Sequence, residues 1–252
     1  MTIKDADGII YLEERAAADA DIAGKFQLWV SDTTPNKLMG TDDAGTDYDI
    51  LLTNHGQCRF EYVSGTSVEL IPRNGNKIII GGEVHEIPSA GVSAANTSIY
   101  INGSGGSNLA ADTVYYVSVW NDSGSLTLMF WTFATGKSVD TTTGVMGITG
   151  FTATHTVVGM VRTNASSQFV DSDTNKSVIS WYNREAFHIQ GNFTANRATA
   201  STSLVELNTE IRVYFLSWGE EAIVVTAPCY GWNNAVDRWN QLVIVLNGGA
   251  IG

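Results

Sequence analysis

Two cysteines and four prolines are few for 252 residues. Cys58 and Cys229 permit a single bridge at most, so this is no disulfide-stapled scaffold. Cys58 stands in phase with Phe60 and Tyr62 and reads as a small buried residue of a strand. Basic side chains are also scarce: 14 Lys and Arg against 26 Asp and Glu leave a formal net charge of -12. That balance excludes nucleic acid, whose binding rests on Lys and Arg neutralising phosphates, and disfavours an anionic membrane leaflet. No run approaches the roughly 20 apolar residues of a membrane-spanning helix. The opening residues, MTIKDADG, lack the apolar core of a secretion signal, so synthesis in a cytoplasm is expected.

Catalytic constellations are missing too. His55, His85, His155 and His188 are far apart and share no metal-ligand spacing. No Gly-x-Ser-x-Gly nucleophile elbow occurs. Gly136-Lys137-Ser138 ends like a phosphate-binding loop, but Trp131 stands where its first glycine belongs and no helix is expected after it. Asp171-Ser172-Asp173-Thr174-Asn175 begins like a calcium loop, yet Lys176 and Tyr182 occupy the positions that need Gly and Glu. Asp42, Asp43, Asp47 and Asp49 offer oxygen donors, but Asp in such loops more simply bonds the local backbone. No enzyme activity, cofactor or metal is therefore expected. A carboxylate pair brought together from distant strands keeps one alternative from another class, a polysaccharide depolymerase.

What the chain does contain is β sequence. Charged residues are only 16%, below the roughly 25% of ordinary domains, and Thr, Ser, Asn and Gly carry the polarity instead. Residues 11–21, YLEERAAADAD, are the only stretch of helix-forming composition, either a short helix or a linker. Beyond them, strands are expected at 58–63, 68–72, 77–80, 84–87, 98–101, 114–120, 126–133, 155–162, 168–170, 178–182, 210–217, 222–227 and 242–246. The clearest hairpin turns at Asp122-Ser123-Gly124-Ser125 between arms rich in Val, Tyr, Trp and Phe. Many short strands with frequent turns predict an all-β fold: a small N-terminal β-meander followed by β-sandwich or jelly-roll-like domains. Boundaries are expected near 55 and 190, giving an N-terminal segment 1–55, a central β-sandwich 56–189 and a distal β domain 190–252. The distal part is thin, so either further chain or a neighbouring copy is expected to complete its sheet.

The N-terminal meander comprises residues 26–30, 37–41 and 46–52. Pro35 is preset for the second position of a type I turn, with Asn36 at the third. Gly45 supplies the positive φ expected in the next loop. Phe26, Leu28 and Val30 alternate with Lys25, Gln27 and Trp29, which predicts one buried face. So few strands cannot stand alone and must lean on other parts of the chain, another copy or a partner. Among the tryptophans, Trp218, Trp232 and Trp239 lie near turns and are the candidates for an exposed, sugar-stacking role.

The acidic-alanine lead at 13–24, the Gln-Leu-Trp-Val strand at 27–30, the Thr-Pro-Asn turn at 34–36 and the Asp-Asp-Ala-Gly turn at 42–45 together resemble an N-terminal element of bacteriophage and prophage fibre proteins. Met39 and Gly40 after Leu38, and Phe26, depart from that pattern, which has an aromatic and a glycine there. A second likeness, to phage structural proteins, spans much of 56–215. It is carried by CRFEYV at 58–63, Ile87-Pro88-Ser89-Ala90-Gly91, Val158-Gly159-Met160-Val161-Arg162 and Ser180-Trp181-Tyr182-Asn183-Arg184. The resemblance implies a virion structural protein, made in the host cytoplasm and released by lysis. It would be a homotrimeric fibre or spike that docks on other virion proteins through Leu28, Trp29, Pro35, Asn36, Asp42, Asp43 and Gly45. Its distal domain would meet a host-surface glycan or protein. A tail fibre is the leading expectation; a capsid head fibre or decoration protein has the same architecture with a different socket.

Overall fold

Val, Ile, Tyr, Phe and Trp concentrate in short segments divided by Gly, Asn, Asp and Ser, and those segments become strands. The computed structural model describes residues 14–20, 23–32, 38–45, 47–49, 55–201, 203, 205–227, 244–246 and 249–251. Two compact units divide the chain, Met1–Val170 with Ser177–Ala186, and Asp171–Lys176 with Phe187–Gly252. The N-terminal 55 residues are not set apart as a unit of their own. The described residues contain no α-helix, and the protein is all-β.

The meander is a four-stranded sheet, β1 (Glu14–Arg15), β2 (Gln27–Ser31), β3 (Leu38–Thr41) and β4 (Asp47–Asp49), in that order. The helix-forming stretch at 11–21 yields no helix among its described residues. Glu14 and Arg15 instead pair in parallel with Val30 and Ser31, because a stretch this short gains too little from helix propagation to offset nucleation.

A β-sandwich-like body follows in the first unit. Its strands are β5 (Cys58–Ser64), β6 (Ser67–Pro72), β7 (Lys77–Ile80), β8 (Glu83–Glu86), β9 (Val92–Ala95), β10 (Ile99–Ile101) and β11 (Ser104–Ser107). After them come β12 (Val114–Asp122), β13 (Ser125–Thr132), β14 (Lys137–Val139), β15 (Met146–Ile148) and β16 (Thr156–Arg162). Later in the chain, β17 (Asp171–Ser172) and β18 (Asn175–Lys176) precede β19 (Val178–Ser180). The large sheet runs β11-β10-β13-β12-β16-β15-β14, with β19 also paired to β16. A smaller sheet, β5-β6-β9, supplies the facing layer, and β7 and β8 form a separate hairpin. The β12–β13 turn sits where the sequence predicts it: Asp122 pairs with Ser125, and Ser123 and Gly124 both have positive φ.

Between the layers, Cys58, Phe60, Val68 and Leu70 meet Val117, Val119, Phe130, Val158 and Val161, all at most 2% exposed. Burial as an apolar residue matches the expectation for Cys58, and the same desolvation pushes its thiol up to about 12. Gly159 makes the closest crossing possible. A Cβ there would lie 2.3 Å from the Phe60 ring and 2.8 Å from the Ile179 carbonyl. The large sheet is buried on its other face as well, by Tyr116, Ser118, Met129, Trp131, Val157 and Met160. Strands covered on both faces read as continuous rather than alternating apolar runs, as VYYVSVW does.

The second unit is sparser. Its strands β17, β18 and β20 (Tyr214–Phe215) form one small sheet, and β21 (Ile244–Leu246) pairs with β22 (Gly249–Ile251). Three strands expected from sequence differ. Residues 168–170 join no ladder; instead the Phe169 N–H donates to the Gly65 carbonyl. Of 210–217, only Tyr214 and Phe215 pair as a strand, after a 3₁₀ turn over Thr209–Ile211 capped by the Asn208 side chain. Residues 222–227 join no ladder among the described residues.

Candidate interaction surfaces

In the meander, Trp29 is the buried apolar anchor. It is 8% exposed, and its indole N–H donates to Thr41 Oγ1 at 2.8 Å. The buried face is therefore that of Trp29 and Ser31, and Phe26 and Leu28 stand on the other side at 60% and 43% exposure. Asp42 and Asp43 act on the local backbone. Asp42 Oδ1 accepts from the Ala44 N–H at 2.9 Å, and Asp43 Oδ2 accepts from the Gly24 N–H at 3.2 Å. Gly45, with φ of +81°, donates its N–H to the Asp42 carbonyl. Trp29, Asp42, Asp43 and Gly45 thus shape this small sheet, while Leu28 is exposed on it. Pro35 and Asn36 lie outside the described residues.

The tryptophans expected as sugar platforms fare differently. Trp218 is only 2% exposed, with its backbone N–H donated to Glu221 Oε2 at 2.8 Å, so its ring offers solvent no stacking face. The chain does turn at 218–221, but a turn residue can still point inward. Trp232 and Trp239 lie outside the described residues. Among the described residues of this unit, Phe187, Phe193, Val205, Ile211, Tyr214, Ile223, Val224 and Val225 are each at least 40% exposed.

A cluster that sequence reasoning missed lies at residues 180–185. Ser180 Oγ accepts from the Phe60 N–H at 3.0 Å and donates to the Tyr182 carbonyl at 2.6 Å. Asn183 Nδ2 donates to the carbonyls of Gly56 and Cys58, both at 2.9 Å, and its Oδ1 accepts from Asn74. Arg184 lies 4.4 Å from the centre of the Trp181 ring, with Lys137 also over that ring at 4.6 Å. Glu185 pairs with Arg59 and Arg73, which holds its carboxyl below the usual range. The motif ties the end of β19 to the start of β5. Lys137 of the Gly-Lys-Ser triplet is part of strand β14, so no phosphate-binding loop forms there.

Aromatic rings converge on the outer face of the large sheet. His155 stacks on Trp120 at 5.5 Å and meets Trp131 edge-on at 5.1 Å, with Phe151 beside both. Burial lowers the His155 pKa to about 4. Trp120 Nε1 and His155 Nε2 are buried with no hydrogen-bond partner among the described residues. Elsewhere a cleft of about 540 Å³ opens beside the β12–β13 turn, lined by His85, Glu86, Pro88, Ser93, Gly124 and Ser125. Glu86 is ion-paired with Lys77, and the His85 ring is 4.0 Å from the Glu83 carboxylate. Asp171 is likewise committed, accepting from Lys176 Nζ at 2.5 Å. Among the described residues, no three His, Cys, Asp or Glu side chains converge as metal ligands, and no helix is long and apolar enough to cross a membrane.

No protein-family model, curated protein or solved structure matches the chain.

Proposed function

We propose that the chain is a fibre- or spike-type structural subunit of a bacteriophage virion, attached to the particle by its N-terminal meander and directed toward the host surface by its distal unit. The observation that carries the proposal is the Gln-Leu-Trp-Val, Thr-Pro-Asn and Asp-Asp-Ala-Gly series, with its likeness to fibre N-termini. Two structural features support it. The meander keeps a single large apolar anchor, Trp29, among its described side chains and leaves Phe26 and Leu28 exposed, a surface suited to docking. The second unit buries only Trp218 among the described residues of 187–227, as expected of a domain completed by other copies of itself.

The net charge of -12 suits this role, since a particle released into a lysate must not adhere to nucleic acid. The subunits are homotrimeric in this proposal. Removing residues 1–50 should yield particles without this protein, while the remaining chain stays folded. Antibody labelling of intact particles then separates the two sockets: label at the tail marks a tail fibre, label over the shell a head fibre. Equal incorporation with and without residues 1–50 would refute attachment by the meander.

A further inference from the structure

We infer that residues 222–227, AIVVTA, form a β-strand whose ladder partner belongs to a second copy of this chain. Four consecutive β-branched residues, Ile223 to Thr226, give the segment strong strand propensity. A tight turn leads in, closed by the Glu221 N–H on the Trp218 carbonyl at 2.9 Å. Pro228 follows, a residue that lacks an N–H and suits a strand's end. None of the six has a positive φ. Yet none makes a backbone hydrogen bond to any described residue, and all six are exposed, Val224 at 87%. A Val/Ile strand with unpaired backbone is a template for pairing with another chain.

The exposure is two-sided, which narrows the occupant. Ile223 and Val225 fall on one face and Val224 and Thr226 on the other, and both faces are open. A ligand laid against one face would leave the other wet. Chains wrapped about a common axis supply both an edge partner and a cover. The deficit also extends beyond this segment, since Phe187, Phe193 and Ile211 are exposed in the same unit. A partner met only after folding cannot hold such a unit together during synthesis, whereas another copy is present at equal stoichiometry from the start. Obligate interfaces of that kind resemble a core cut in half. This inference rests on the homo-oligomer part of the fibre proposal and assigns the segment that builds it.

Hydrogen exchange read by mass spectrometry on the full chain, beside its native mass, tests the assignment. In the assembled protein the amides of 223–227 should be protected by roughly 100-fold or more, as amides of a cooperative ladder are. V224D should shift the mass toward monomer and release that protection, while V224I keeps both. Protection of the Phe60 amide in V224D checks that the first unit remains folded. An oligomer whose 223–227 amides exchange freely would overturn the inference and leave the fibre proposal standing. A monomer with those amides protected would place the ladder partner in the same chain, and a monomer without protection would leave the strand unpaired; either result overturns the inference together with homo-oligomerisation.

Discussion

His55 is held as the neutral imidazole by its two neighbours. Its Nδ1 accepts from the Ile79 N–H at 2.9 Å, so Nε2 carries the hydrogen and meets Tyr182 Oη at 2.7 Å. Burial lowers its pKa to about 4, as it does for His155. Both groups bind their proton more weakly folded than unfolded. Their contribution to stability is complete above about 6.5 and is lost as pH falls through about 4. Denaturant titrations at pH 7, 6, 5 and 4 should show stability of the first unit declining across that window. H155F keeps the stack on Trp120 and removes a buried nitrogen without a partner, so it should flatten part of the decline; an unchanged profile would contradict the burial. At Gly159 the constraint is steric. G159A must push aside the Phe60 ring and the Ile179 carbonyl and should cost about 1–3 kcal/mol in the same titration.

Elements were legible where local chemistry decides them. The Ser123-Gly124 turn, the Lys77–Ile80 strand and the Val114–Asp122 arm follow from turn residues and β-rich runs. Strands β9, β11, β14 and β15 were not, because VSAA, SGGS, KSV and MGI have no alternation of their own and pair only where longer strands offer an edge. The buried face of the meander turned on one hydrogen bond, Trp29 to Thr41, that spacing does not reveal. The 180–185 cluster was visible only as a resemblance, since its bonds to residues 56–60 span more than a hundred positions. Replacing Asn183 by Ala leaves the Gly56 and Cys58 carbonyls without that donor and strains a position with φ of +47°. It should destabilise the first unit by about 1–3 kcal/mol, measured by thermal or denaturant unfolding. W29A should release the amides of β2 and β3 to fast exchange while those of β12 and β13 stay protected; equal loss in both would tie the meander to the sandwich core.

Across the whole chain, the contrast lies between a first unit with a closed apolar core and a second with Trp218 alone buried among the described residues of 187–227. Sequence announced the thinness of the second unit, because strand signals fade after about residue 190, but gave no sign that Trp218 points inward. The described residues of the second unit bury little surface to set against the entropy of ordering them. In the fibre proposal, identical copies complete this unit. Static light scattering in gentle buffer, run beside an unboiled SDS gel, tests it most directly. A fibre subunit should give three times the 27.1 kDa of one chain and a band that resists SDS until boiled. A clean 27.1 kDa species that is fully folded would contradict it and leave the meander and the distal unit to lean on a different protein.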